Sequence, residues 1–134
     1  MIIKNALVSG KIKNILIENG IISDITENQM PGDCFDARGL RVIPGLIDVH
    51  THGMMGFDTM DADFSSLCEA YAKCGTTSFL PTTMTMGYDA LERVTNAKTD
   101  YSGANILGFH FEGPYISPKY KGDQDEKNIK TPDV

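Results

Sequence analysis

The sequence predicts an α/β protein: a parallel sheet with helical crossovers, preceded by a small antiparallel β-unit. Two observations carry this prediction. Up to position 42, short β-branched runs alternate with turn residues, and from Val42 onward apolar runs alternate with amphipathic segments. The second pattern reads β-α-β-α-β with short links, which implies parallel strands joined by right-handed crossovers.

In the opening section the strand candidates are IIKNALV (2–8), NILIEN (14–19) and IISDIT (21–26). Asn19-Gly20 between the last two is a hairpin signal, because a type I′ turn needs positive φ at both central residues and Asn-Gly accepts it at little cost. The stretch ENQMPGDCFDARG (27–39) is rich in turn residues and reads as a loop closing off this unit. VIPGLIDVH (42–50) is the first buried apolar run. DADFSSLCEAYAKCG (61–75) spaces Phe64, Leu67, Cys68, Tyr71 and Ala72 at helical intervals, with Asp61 or Asp63 to cap its start and Gly75 its end. TTSFLPTTMT (76–85) is a strand with a tight exit rather than a ligand contact. GYDALERVTNAK (87–98) is helical, and NILGFHFEGP (105–114) is a third apolar run ending in Gly-Pro. The residues after Pro114 read as a long loop at a strand's carboxyl end. The expected division is therefore 1–42 and 43–134. At roughly 30 residues per βα unit the second part holds about three units, far short of the roughly 250 residues of a closed eight-unit barrel.

Composition narrows the partners. The chain has 134 residues, 41% hydrophobic and 22% charged, which is enough for a real core. A net charge of -6 with no basic run argues against nucleic acid, whose phosphates need a counterion-releasing surface. No apolar leader region and no run of 18 or more apolar residues occurs, so no membrane segment is expected and the cytoplasm is the default compartment. Cys34, Cys68 and Cys74 form no CxxC pair and are expected as free thiols.

Two stretches carry candidate chemistry. On a strand, His50 and His52 share one face about 6.5–7 Å apart, so both imidazoles at a strand's carboxyl end can reach one cation. An HxH pair alone is a weak signal, equally at home as a solvated pair or one satisfied within a core. Its context strengthens the metal reading: Asp48 continues the same face, and Gly53 and Gly56 let backbone approach a ligand. In GFHFEGP (108–114), Glu112 ends the third run beside a Gly-Pro break. A carboxylate following Phe109 and Phe111 either reaches solvent or needs a compensating cation. His110 shares its face and is open to three roles: ligand, hydrogen-bond donor behind the ligands, or packing. The middle role is the one expected.

PGLIDVHTHG, GTTSFLPTTMT and ILGFHFEGPYISPKYKGDQDEKNI together resemble the N-terminal part of the N-acetylglucosamine-6-phosphate deacetylase family, within the amidohydrolase superfamily. The resemblance runs over essentially the whole chain. HxH identifies only the superfamily; HTHG, FLPTT and HFEGPYIS combined with KGxQDEKNI are more specific and set the chain apart from dihydroorotase-like or allantoinase-like relatives.

The resemblance implies the N-terminal part of a metal-dependent hydrolase (β/α)8 barrel, of about three units, preceded by a small β-sandwich segment. It implies that His50, His52 and Glu112 ligate a divalent metal, zinc or iron, as one or two ions. Asp48 and His110 would stand behind these ligands, with Gln124 and Asp123 near the substrate. The implied reaction hydrolyses the N-acetyl amide of N-acetylglucosamine 6-phosphate, giving glucosamine 6-phosphate and acetate. The chain departs from the family pattern in reaching Val134 before two further histidines, the acid–base aspartate and most phosphate contacts. A truncated, inactive fragment is therefore expected, associating with itself or with a complementary C-terminal chain. Asp123 also stands where relatives carry a small residue. Two other readings remain: an amidohydrolase acting on a different amide, and a non-catalytic half-barrel used for binding or assembly.

Overall fold

The computed structural model describes residues 1–133. The chain divides into two compact units, Met1–Pro44 and the residues from Gly45 onward.

The first unit is a four-stranded sheet ordered β3-β2-β1-β4, built from β1 (Ile2–Val8), β2 (Lys11–Glu18), β3 (Ile21–Thr26) and β4 (Cys34–Asp36). Strands β1, β2 and β3 form an antiparallel meander. The turn at Asn19-Gly20 adopts the positive φ angles its sequence favours, 52° and 78°. Ala6, Ile15 and Ala37 form the buried centre, with Ile3, Val8, Ile17 and Val42 packed around it. The unit is not purely antiparallel, because β4 runs parallel to β1. This strand lies inside the stretch expected to be a loop. Its three residues are all exposed, so no inside–outside alternation marked it.

The second unit is a parallel sheet ordered β10-β8-β5, with β9 also paired to β8. Its strands are β5 (Leu46–Thr51), β8 (Thr76–Thr83), β9 (Asn105–Ile106) and β10 (His110–Phe111), and a short hairpin, β6 (Gly53–Met54) with β7 (Phe57–Asp58), follows β5. Helix α1 (Phe64–Lys73) links β5 to β8, and α2 (Tyr88–Thr95) follows β8. Asp63 caps α1, its carboxylate accepting from the Ser66 backbone at 3.3 Å and the Ser66 hydroxyl at 2.7 Å. The apolar stripe of α1 (Phe64, Leu67, Cys68, Tyr71) packs with Phe79, Val94 and Ala104 as the core. Ala70 is buried in place of the expected Ala72.

Two expectations need correction here. The first apolar run starts as a strand only at Leu46, after Pro44 and Gly45, and Leu46, Ile47 and Val49 are exposed rather than buried because nothing among the described residues covers them. The third run is two short strands, interrupted around Gly108 at a φ of 150°. The hairpin β6–β7 has no alternation long enough to read. No helix among the described residues is long and apolar enough to cross a membrane. Cys34, Cys68 and Cys74 are free, and burial pushes the Cys68 thiol up, away from the reactive thiolate.

Candidate metal centre

In a parallel sheet all strands finish at one edge, and the crevice beyond that edge is where open α/β sheets bind ligands. His50 lies near the end of β5, His52 just past it, and Glu112 immediately follows β10. Their side chains converge: His50 Nε2 is 3.1 Å and His52 Nε2 3.0 Å from the same oxygen, Glu112 Oε2. One ligand atom from each residue fits within a 4.8 Å span.

The β5–β8 pairing is irregular beside His50. Asp48 pairs with Phe79 and Thr51 with Pro81, so β5 carries an extra residue between these positions. The Val49 carbonyl in this stretch accepts from His110 Nδ1 at 3.3 Å, and the His110 ring packs edge-on against His50 with centroids 4.7 Å apart. Asp48 accepts from the His50 backbone N–H at 3.1 Å.

The Thr82 carbonyl lies 3.0 Å from His52 Nδ1. A carbonyl can only accept, so this nitrogen holds a proton and Nε2 is the nitrogen turned toward Glu112. On the carboxylate, Oε1 accepts from Gln124 Nε2 at 2.8 Å, while the Glu112 backbone carbonyl accepts from the Thr85 hydroxyl at 2.8 Å. Burial acts to raise the Glu112 carboxyl, but the Gln124 hydrogen bond and the charges of His52 and His50 outweigh it and hold the group below its ordinary value. An imidazole lone pair aimed at a carboxylate oxygen 3.0 Å away requires a cation to reconcile them, a proton or a metal. Two imidazole nitrogens and a carboxylate oxygen form a donor set suited to zinc or iron, so the residues present fit a divalent ion.

The structure thus brings together the three expected ligands and places His110 against one of them. Asp48 reaches the backbone of His50, not its ring. Gln124 is 3% exposed and engaged at both ends of its amide, donating to Glu112 and accepting from the Thr85 N–H at 2.7 Å. Asp123 is exposed. Thr82 and Thr85 were passed over, since a backbone carbonyl or N–H leaves no mark in side-chain identity. The Thr-rich exit FLPTTMT was the available signal.

The amidohydrolase family profile matches residues 41–133. N-acetylglucosamine-6-phosphate deacetylase of Bacillus subtilis is 37% identical over 99% of this chain and 36% of its own length. Among solved structures, N-acetylglucosamine-6-phosphate deacetylase of Thermotoga maritima superposes with a TM-score of 0.76 at 31% identity, covering 99% of this chain and 38% of that one. The enzyme of the same name from Pasteurella multocida gives 0.80 at 25% identity, over 98% and 39%. The chain spans a little over a third of the length of these relatives, 36% to 39%. Its α/β architecture is that of a metal-dependent hydrolase. With a family match covering most of its residues, the chain belongs to the amidohydrolase family.

Proposed function

We propose that the chain forms the first-strand and third-strand part of a metal-dependent deacetylase acting on an amino-sugar phosphate, N-acetylglucosamine 6-phosphate, to give glucosamine 6-phosphate and acetate. The observation that carries this reading is the meeting of His50, His52 and Glu112 on one oxygen at the carboxyl edge of a parallel sheet. The whole-chain similarity to the B. subtilis deacetylase supports the choice of substrate.

In this reading His50 Nε2, His52 Nε2 and Glu112 Oε2 hold zinc or iron, as one or two ions. Such an ion, when bound, supplies Lewis acidity for the amide oxygen and for the attacking water. The chain's own contribution is orientation. Thr82 fixes the tautomer of His52, His110 buttresses the His50 ring and the β5 bulge, and Asp48 ties down the His50 backbone. The acid–base carboxylate and the phosphate contacts are assigned to the remaining length of the full deacetylases, since barrel chemistry draws on loops from several strands. By the same reading, residues 1–42 are a β-sandwich segment, residues 43–134 open a (β/α)8 barrel, and the protein works in the cytoplasm.

Calorimetric titration of the chain with zinc tests the site. Binding is expected in the wild type and is expected to be weakened in His50→Ala, His52→Ala and Glu112→Gln. Unchanged affinity in these variants overturns the assignment. Residues 1–134 alone are expected to release no acetate from N-acetylglucosamine 6-phosphate above background, and clear release overturns the division of labour.

A further inference from the structure

Gln124 is a buried amide whose two ends are fixed by different parts of the sheet edge. Its Oε1 accepts from the Thr85 backbone N–H at 2.7 Å, just past the end of β8. An N–H can only donate, so the amide cannot be flipped: the NH2 group must face Glu112 Oε1, where it lies at 2.8 Å. Thr85 then closes a ring by donating its hydroxyl to the Glu112 backbone carbonyl at 2.8 Å. The main chain of Gln124 is held as well, its N–H donating to the Lys121 carbonyl at 3.1 Å and its carbonyl accepting from Lys121 Nζ at 2.9 Å. At 3% exposure, Gln124 is shielded from solvent.

The consequence falls on the carboxylate. Of the two oxygens of Glu112, Oε1 faces the Gln124 donor while Oε2 receives both histidines. We propose that Gln124 is a positioning residue that holds Glu112 by one oxygen, so that the carboxylate offers a metal only Oε2, as a one-oxygen ligand. The inference rests on the metal reading above. Its physical basis is general: a ligating carboxylate left without its hydrogen-bond partner can rotate or bind through both oxygens, and loss of such partners weakens metal sites by about 10–100-fold. Gln124 thereby sets both the affinity of the site and the number of positions left open on the ion.

The test uses the 134-residue chain and two variants. Gln124→Leu removes the donor and the acceptor. Gln124→Glu keeps the shape and the acceptor toward Thr85 but replaces the NH2 facing Glu112 by oxygen. Zinc affinity, measured by competition with a chelating dye, is expected to fall by about 10-fold or more in both. Cobalt(II) spectra at saturation provide a readout that a merely structural role leaves unmoved: Gln124→Leu is expected to show weaker visible absorption than the wild type, as Glu112 turns to two-oxygen binding and coordination number rises. A double-mutant cycle with Glu112→Gln is expected to show strong non-additivity. If Glu112→Gln itself leaves zinc affinity unchanged, the metal reading fails. If Glu112→Gln weakens binding while Gln124→Glu matches the wild type in affinity and in cobalt spectrum, the positioning role is overturned and the metal reading stands. Should Gln124→Leu fail to fold, Gln124→Glu decides alone.

Discussion

The Nδ1 of His52 lies 3.0 Å from the backbone carbonyl of Thr82. Because the acceptor is main chain, no side-chain rearrangement can release it, and the ring is committed to the tautomer that leaves Nε2 free. In the zinc-loaded chain, nitrogen-15 NMR of the imidazoles is expected to find His52 protonated at Nδ1 and metal-bound at Nε2. His52→Ala is expected to weaken zinc by more than about 10-fold, exceeding the usual loss of a ligand's partner. The opposite tautomer, with the proton on Nε2, counts against the geometry.

The same contact shows what a sequence does and does not disclose. The convergence of His50, His52 and Glu112 was legible because strand alternation places i and i+2 on one face and the third run ends at the same sheet edge. The irregularity in β5 was hidden: it lies in how β5 registers with β8, which is a relation across sequence rather than along it. The contact of Gln124 with Glu112 was not legible, since nothing in KGDQDE tells which group its amide faces. Strand β4 escaped because its three exposed residues carry no pattern. The helices were readable in type and capping, with Asp63 at the start of α1, and less so in their ends.

Gly113 follows Glu112 at a φ of 97°, and a Cβ there would sit 2.2 Å from Thr85 Oγ1. Gly113→Ala therefore forces a left-handed backbone on alanine, about 1–2 kcal/mol, and drives the Thr85 hydroxyl from the Glu112 carbonyl. Denaturant unfolding is expected to show a loss of more than about 1 kcal/mol, with zinc affinity reduced in parallel. Wild-type stability and affinity in this variant would show that Thr85 has room to withdraw.

Asp63 provides a pH-dependent contribution. The Ser66 hydroxyl, and after it the Ser66 backbone N–H, hold its carboxyl below the ordinary carboxylate range. A group whose folded pKa lies below its unfolded one stabilises the native state above the unfolded value, and the contribution fades as pH falls through the folded value. Asp63→Ala is expected to lower the melting temperature at neutral pH, with the gap to the wild type closing in strong acid. Asp63→Asn keeps an acceptor for the α1 N-terminus but cannot ionise, so it is expected to fall between the two at neutral pH. A gap between Asp63→Ala and wild type that stays constant down to the lowest accessible pH would remove the ionised cap from the account.

The parallel sheet ends in two unpaired edges, β5 on one side and β10 on the other, among the described residues. Close to these edges Leu46, Ile47, Val49, Leu107 and Phe111 are each at least 50% exposed. An open strand edge flanked by apolar side chains is a template for pairing with another chain, and soluble proteins seldom leave such a surface bare. The 134-residue chain is therefore expected to self-associate, to a dimer or larger assembly, or to be held monomeric only by a complementary chain that covers the same face. Ile47→Lys combined with Val49→Lys places two charges on β5 and is expected to shift sedimentation toward the monomer, leaving the α1 core of Phe64, Leu67 and Phe79 untouched. A compact monomer in the wild type over a wide concentration range, with no change on introducing the two lysines, would show that this face is stable in water as it stands.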